Sequence, residues 1–236
     1  MNRPIYRFLA DREWRSQRRL VLMQRITQMH VVPDILPHLE PVAEVKLAFG
    51  RRNVFPGDFV ESRVSEKPPR LRVQVFDQGE RLVSIVVVDP DIPNEEKDAF
   101  DYRCHFLALN IPISPTSTSV PLSKLGSQTV LSWLPPTAQK GAPYHRLSIF
   151  VLQHPNNQAL DLDAVRKKTR REGFNLRKFI DRHRLTPVGA HMFRSQWDEG
   201  TAGVMARANL PGAEIEWHRK KPEKLPYEKK DGARYR

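Results

Sequence analysis

Cysteine is nearly absent: the 236-residue chain has one, Cys104. A single thiol allows no disulfide within the chain and excludes the cysteine-rich kinds of zinc site. That suits a reducing compartment such as cytosol, nucleus or mitochondrial matrix. Long apolar runs are absent too. The best candidate, SIVVVDP, has strand length, far below the roughly 18 to 20 residues a membrane helix needs. Glycine is scarce beside proline, 11 against 20, which favours rigid turns over a loose chain. There is no repeat and no low-complexity tract. G-x-S-x-G, His-Glu-x-x-His and a phosphate-cradling glycine loop are all missing. The opening residues lack the apolar core of a secretory signal, and Asp11 and Glu13 break the acid-poor pattern of a transit peptide.

What is present is a chain that is 39% hydrophobic, enough for one domain of roughly 150 residues with extensions. Its net charge is +12, unevenly spread. Residues 1–30 hold seven basic and two acidic side chains, 163–184 nine and three, and 216–236 eight and four. The rest is slightly acidic. Basic ends and one basic helical segment on a near-neutral body are the footprint of a polyanion binder. A merely solvated basic surface is the plainer reading of any single run.

Residues 1–30 read as an extended start followed by a helix with Leu22, Ile26 and Met29 on one face. A proline-punctuated connector, VVPDILPHLEP, follows. From about residue 43 the period becomes two. AEVKLAF, FVESRV, RLRVQVF, RLVSIVVVD, YRCHFLALNI, TVLSWL and HRLSIFVLQ read as short strands separated by PGD, SEKPPR and DQGE turns. This predicts an all-β sandwich, with SIVVV and LSIFVLQ as central strands covered on both faces. Two late helices are expected. DLDAVRKKTRREG should end at Gly173, and NLRKFIDRHRL should be capped by Asn175. PVGAHMFRSQW reads as a closing strand.

The chemistry-bearing residues are Asp89, Asp91, His105 and His145. Asp89-Pro90-Asp91-Ile92-Pro93 reads as a rigid turn that aims two carboxylates. His105 is placed on the strand face of Leu107 and Leu109, with Cys104 on the other. Two histidines and a carboxylate can hold a metal, act as an acid/base pair, or grip an anion. A lone histidine on an apolar strand is more commonly a satisfied core residue.

DPDIPN, then CHFLALNI, then LPP, then YHRLSIFVLQ, in this order, resemble the phosphatidylethanolamine-binding protein family. The resemblance covers roughly residues 41–200. It implies a β-sandwich of two antiparallel sheets with peripheral helices and a metal-free pocket for phosphate-bearing head groups. Asp89, Asp91, His105, Pro135 and His145 fall at pocket positions. Three departures stand out: Leu134 replaces a glycine, Arg103 an aromatic residue and Leu147 an aromatic hydroxyl. They predict a reduced or closed, vestigial pocket.

The flanks are similar to one branch of the family, the one built into the large subunit of the mitochondrial ribosome, of fungal type. That resemblance implies a non-enzymatic architectural protein of the mitochondrial matrix, with no cofactor, contacting ribosomal RNA and neighbouring ribosomal proteins. It divides the chain into a basic helical extension (1–40), the sandwich (41–200) and a basic C-terminal extension (201–236). The expected RNA or partner contacts are Arg15, Arg18, Arg19, Arg25, Lys167, Lys168, Arg170, Arg171, Arg219, Lys220 and Lys221. Trp14, Trp217 and Tyr227 are candidates for stacking. A soluble head-group-binding regulator is the alternative reading. A metal-dependent hydrolase rests only on the same acid and histidine set.

Overall fold

The structure is a computed structural model and describes residues 1–218. Two antiparallel sheets face each other. The smaller has the order β2 (Arg52–Val54), β1 (Glu44–Phe49), β3 (Arg70–Gln74), β6 (Ser119–Pro121). The larger runs β7 (Thr129–Leu131), β5 (Ala99–Ile113), β4 (Arg81–Asn94), β8 (His145–Gln153), β9 (Thr186–Ser195). The protein is thus a mostly-sheet sandwich with peripheral helices.

Alternation along the strands builds two apolar layers. Val45, Leu47, Leu71 and Val73 of the small sheet meet Val83, Ile85, Val87, Leu147 and Ile149 of the large one. The opposite face of the large sheet carries Val86, Val88, Leu107, Phe150 and Met192. That face is covered by Leu22, Ile26, Ile35, Leu36, Phe174 and Phe179. Being covered on both sides, β4 and β8 need apolar residues at successive positions, which is why they read as continuous runs. Each fully buried large side chain contributes about 1.5–3 kcal/mol of hydrophobic stabilisation.

The covering elements come from both ends of the chain. α1 (Pro4–Glu13) passes through a π-helical turn (Trp14–Arg18) into α2 (Arg19–Gln28), and a short turn, α3 (Val31–Asp34), follows. The start is therefore helical from Pro4, not extended. Proline at the first helical position loses no hydrogen bond there. α1 buries nothing; the π turn brings Trp14 inward against Phe76, with ring centroids 5.5 Å apart. Trp14 is thus a core anchor and is not available to stack on a base.

Further departures from the sequence expectation have local causes. Within FVESRV, Ser62–Ser65 form a helical turn, α4, instead of a strand. Asp198, 136 residues away, accepts the Ser62 N–H at 2.7 Å, a long-range bond that alternation does not show. The first late helix, α5 (Leu162–Lys168), stops at Thr169, before Gly173. The second, α6 (Leu176–His183), is capped by Asn175, whose side chain accepts from the Lys178 N–H. α7 (Thr201–Arg207) packs on α4 and buries Val204 and Met205.

Candidate functional site

Asp89-Pro90-Asp91-Ile92-Pro93 is not a turn. It stays within β4, and the pairing with β5 slips between Asp89 and Ile92. Prolines that donate no ladder bond fit such an irregularity. The true turn is Glu95–Asp98. A second slip sets Val87 opposite Phe106 and Val88 opposite Cys104, leaving His105 as the extra residue of a bulge. The bulge removes His105 from the face of Leu107 and Leu109, where strict alternation places it. Cys104, expected on the opposite face, takes the side of Leu107 and Leu109 instead, and burial pushes its thiol up to about 12, so it stays an inert packing group.

The bulge gathers three of the expected residues into one corner. Asp89, His105 and His145 are 0%, 1% and 2% exposed, so nothing outside reaches Asp89. His145 Nδ1 donates to Asp89 Oδ2 at 2.7 Å, and the Asp91 N–H donates to Asp89 Oδ1 at 2.9 Å. His105 Nδ1 donates to the Leu134 carbonyl at 2.9 Å, and the Leu134 N–H donates back to the His105 carbonyl at 2.9 Å. His105 Nε2 stands 3.7 Å from Asp89 Oδ2, too far for a hydrogen bond.

Burial alone pushes the Asp89 carboxyl up. The charge of His145 and the closeness of both imidazoles outweigh it and hold the group well below the usual carboxylate range. Burial likewise pushes His145 down, and Asp89 more than offsets this, so His145 titrates above its ordinary value. The result is a buried pair in which each charge favours the other. Beside the pair, His105 Nε2 is buried and has no hydrogen-bond partner among the described residues.

Asp91 faces another way. Its carboxylate takes a two-pronged contact from Arg146, whose Nε and Nη2 lie 2.9 and 2.7 Å from its oxygens. The same guanidinium donates to the Met29 carbonyl at 2.9 Å and to Asp34 at 2.8 Å. Sequence reasoning passed over Arg146; its signal was a cation at the mouth of an apolar strand. Pro135 is half-buried beside the corner.

The expected cations separate into groups. Arg25, Lys167, Lys168 and Arg170 are exposed, and Arg19 is half-buried. Arg15 pairs with Asp11 at 2.8 Å on the surface. Arg18 lies 3.1 Å from Glu44. Arg171 is turned inward, donating to the carbonyls of Cys104, His105 and Ser132. Arg219, Lys220, Lys221 and Tyr227 lie outside the described residues. Among the described residues no group of three or more His, Cys, Asp or Glu is arranged to hold a metal ion.

His145 and Arg103 line a cavity of about 620 Å³ outside the corner, whose opposite wall is the segment from Met205 to Trp217. Arg103 is held by Glu172, with Nε 2.9 Å from both carboxylate oxygens. Glu95, Glu96 and Glu214 also line the cavity, making it unfavourable for an anion. The C-terminal wall is fastened: the Trp217 N–H donates to the Lys140 carbonyl at 2.8 Å, and Lys140 pairs with Glu216 at 2.8 Å. Gly141, at φ +79°, lies against the Trp217 carbonyl, where a Cβ would collide.

The sequence pattern of the phosphatidylethanolamine-binding proteins matches residues 45–193. The chain belongs to the phosphatidylethanolamine-binding protein family. "Large ribosomal subunit protein mL38" of Schizosaccharomyces pombe is 30% identical over 208 residues, covering 86% of this chain and 66% of that protein. The chain therefore spans just under two thirds of that relative's length. "Protein FLOWERING LOCUS T" of Arabidopsis thaliana is 29% identical over 177 residues, 73% of this chain and 91% of that protein. A carboxypeptidase Y inhibitor, solved with its cognate proteinase, shares the fold at a TM-score of 0.58 and 13% identity, over 76% of this chain and 96% of its own.

Within this phosphatidylethanolamine-binding fold the three departures have definite places. Leu147 is wholly buried in the layer between the sheets. The Leu134 N–H is bonded to the His105 carbonyl, and the Arg103 guanidinium to Glu172. Leu147 brings no hydroxyl, the Leu134 N–H is already used, and Arg103 Nε is taken by Glu172.

Proposed function

We propose that the chain is a structural, non-enzymatic constituent of the mitochondrial large ribosomal subunit, working in the mitochondrial matrix. One observation carries this reading: the similarity to the ribosomal relative extends over 208 residues, well beyond the family domain at 45–193. It therefore includes flanking sequence that the family domain does not explain. The exposed Arg25, Lys167, Lys168 and Arg170 would neutralise ribosomal RNA phosphates and release counterions. Arg15, Arg19 and the basic C-terminal sequence would add to this, while Arg171 would serve the fold. The vestigial anion pocket would act as a polar staple inside the sandwich.

Sedimentation of tagged protein from mitochondrial lysate tests the reading. The protein should run with the large subunit at low salt and leave it as salt rises; absence from that peak at low salt refutes it. A head-group-binding role predicts saturable binding of phosphorylethanolamine that His145→Ala removes. The buried Asp89 and the acidic cavity lead us to expect no saturation at millimolar ligand.

A further inference from the structure

Around the β4–β5 hairpin tip this basic protein carries an acidic, apolar surface. Two adjoining grooves, about 890 and 310 Å³, share Pro93, Phe100, Ala142 and Pro143 in their walls. Phe100 is 59% exposed and forms part of the wall of both grooves. Trp217 forms a further wall of the larger groove, and Tyr144 of the smaller. The floor is thus aromatic and proline-rich.

The rim is acidic. Glu95 and Asp98 line the larger groove, and Glu96 and Glu214 lie on the neighbouring cavity that shares Glu95 and Trp217. Among the described residues none of these four is in an ion pair, whereas the nearby cations each have a carboxylate of their own. Lys97 holds Asp101, Lys140 holds Glu216, Arg103 holds Glu172 and Arg146 holds Asp91. The described residues therefore set up a negative local field here, on a chain whose net charge is +12. RNA phosphates are repelled here, and a cationic group is drawn in.

We propose that this groove docks a basic segment of a neighbouring protein, with an aromatic or aliphatic side chain seated on Phe100 and Pro143 and lysine or arginine against Glu95, Glu96 and Asp98. This rests on the ribosomal reading, since a basic extension from an adjacent ribosomal protein is the occupant that such an assembly supplies. Aromatic faces beside carboxylates suit an arginine-bearing chain doubly, through ion pairing and cation–π contact. The surface thus complements the basic elements: one set of residues faces nucleic acid, the other faces protein.

The test uses the full chain and a 12-residue synthetic peptide in which arginine and lysine alternate with leucine and phenylalanine. Tryptophan fluorescence or calorimetry should show saturable binding at moderate salt. Glu95→Lys/Glu96→Lys should weaken it by about tenfold or more, and Phe100→Ala by about fivefold. A peptide with serine in place of its apolar residues should bind as weakly as the Phe100→Ala variant binds the parent peptide. Equal binding by wild type and both variants, or loss with the charge reversal alone, overturns the proposal, since the second result marks unspecific electrostatics. Carbodiimide cross-linking separates the remaining occupant. Cross-links from Glu95 or Glu96 to Lys220, Lys221 or Lys224 in the free, monomeric protein would mean that the chain's own C-terminal sequence fills the groove, and would also overturn the proposal. The ribosomal reading is judged separately: Glu95→Lys/Glu96→Lys should retain affinity for ribosomal RNA, while a wild-type chain that never sediments with the large subunit fails that reading whatever the peptide does.

Discussion

Six residues of β4 and its turn lie between two kinds of carboxylate. Asp89 is fully buried between two imidazoles, and Glu96 stands in solvent with no ion-pair partner among the described residues. The inner group does its work by staying charged inside the protein, and its neighbours are arranged around that charge. The outer groups hold nothing in the fold together and shape only the field met by a partner. In the reading we propose, the inner corner belongs to the framework and the docking of a partner to the turn a short way along the chain.

Changes at the two places should differ in size. The largest effect is expected from Asp89→Ala, which leaves His145 buried without its counter-charge. Removing one member of a buried pair costs about 3–5 kcal/mol, read as a drop in urea midpoint. A loss below 1 kcal/mol would mean that the corner is not structural.

Next comes acid. Burial pushes His191 down to about 4, whereas an unfolded histidine takes its proton near 6.5. Between those values the unfolded chain binds more protons, so stability should fall as pH drops from about 6.5 to about 4, by roughly 3 kcal/mol in total. His154 and His183, also pushed down by burial, act in the same direction. Asp89, depressed in the folded state, adds its own loss as pH falls below about 4. His145 has the opposite sense: its contribution is complete below about 6.5 and is lost as pH rises through its raised folded value. Urea midpoints across pH, with and without His191→Gln, check the signs, because the variant should flatten the acid-side slope.

Third is Arg146→Met, which removes the charged hydrogen bonds to Asp91, Asp34 and the Met29 carbonyl. About 2 kcal/mol is expected, with faster tryptic cleavage around Arg25 as the N-terminal helix loosens. The smallest effect is that of Glu95→Lys/Glu96→Lys, within about 0.5 kcal/mol of wild type. A larger loss would mean that the hairpin tip is part of the framework after all.

Regular alternation made the strands legible, and the doubly covered β4 and β8 were visible as unbroken apolar runs. Asn175 announced its helix because a cap is a local device. What the sequence concealed was set by distant partners. Ser62 forms a helical turn around Asp198, and Arg171 looks like part of a basic surface until the carbonyls of β5 appear beside it. The bulge at His105 was hidden because a one-residue slip leaves no mark on composition, yet it decides which face the imidazole takes. The residues of the corner and the departure at Leu134 were recognisable in sequence, but the two hydrogen bonds between Leu134 and His105 were not, since both run through the Leu134 backbone.

The Arg146 contact with Met29 also has a bearing on the order in which the molecule can form. It joins positions 117 apart in the chain, and Leu22 and Ile26 share their layer with Phe150 and Phe179. A chain that emerges N-terminus first makes its first helix long before the seat for that helix exists, so closure waits on distant contacts. Through that interval Leu22 and Ile26 have no cover of their own, and the arginines interleaved with them keep the waiting segment in solution. The same positive charges that we assign to the finished particle would then have an earlier duty, as guards of an unfinished one.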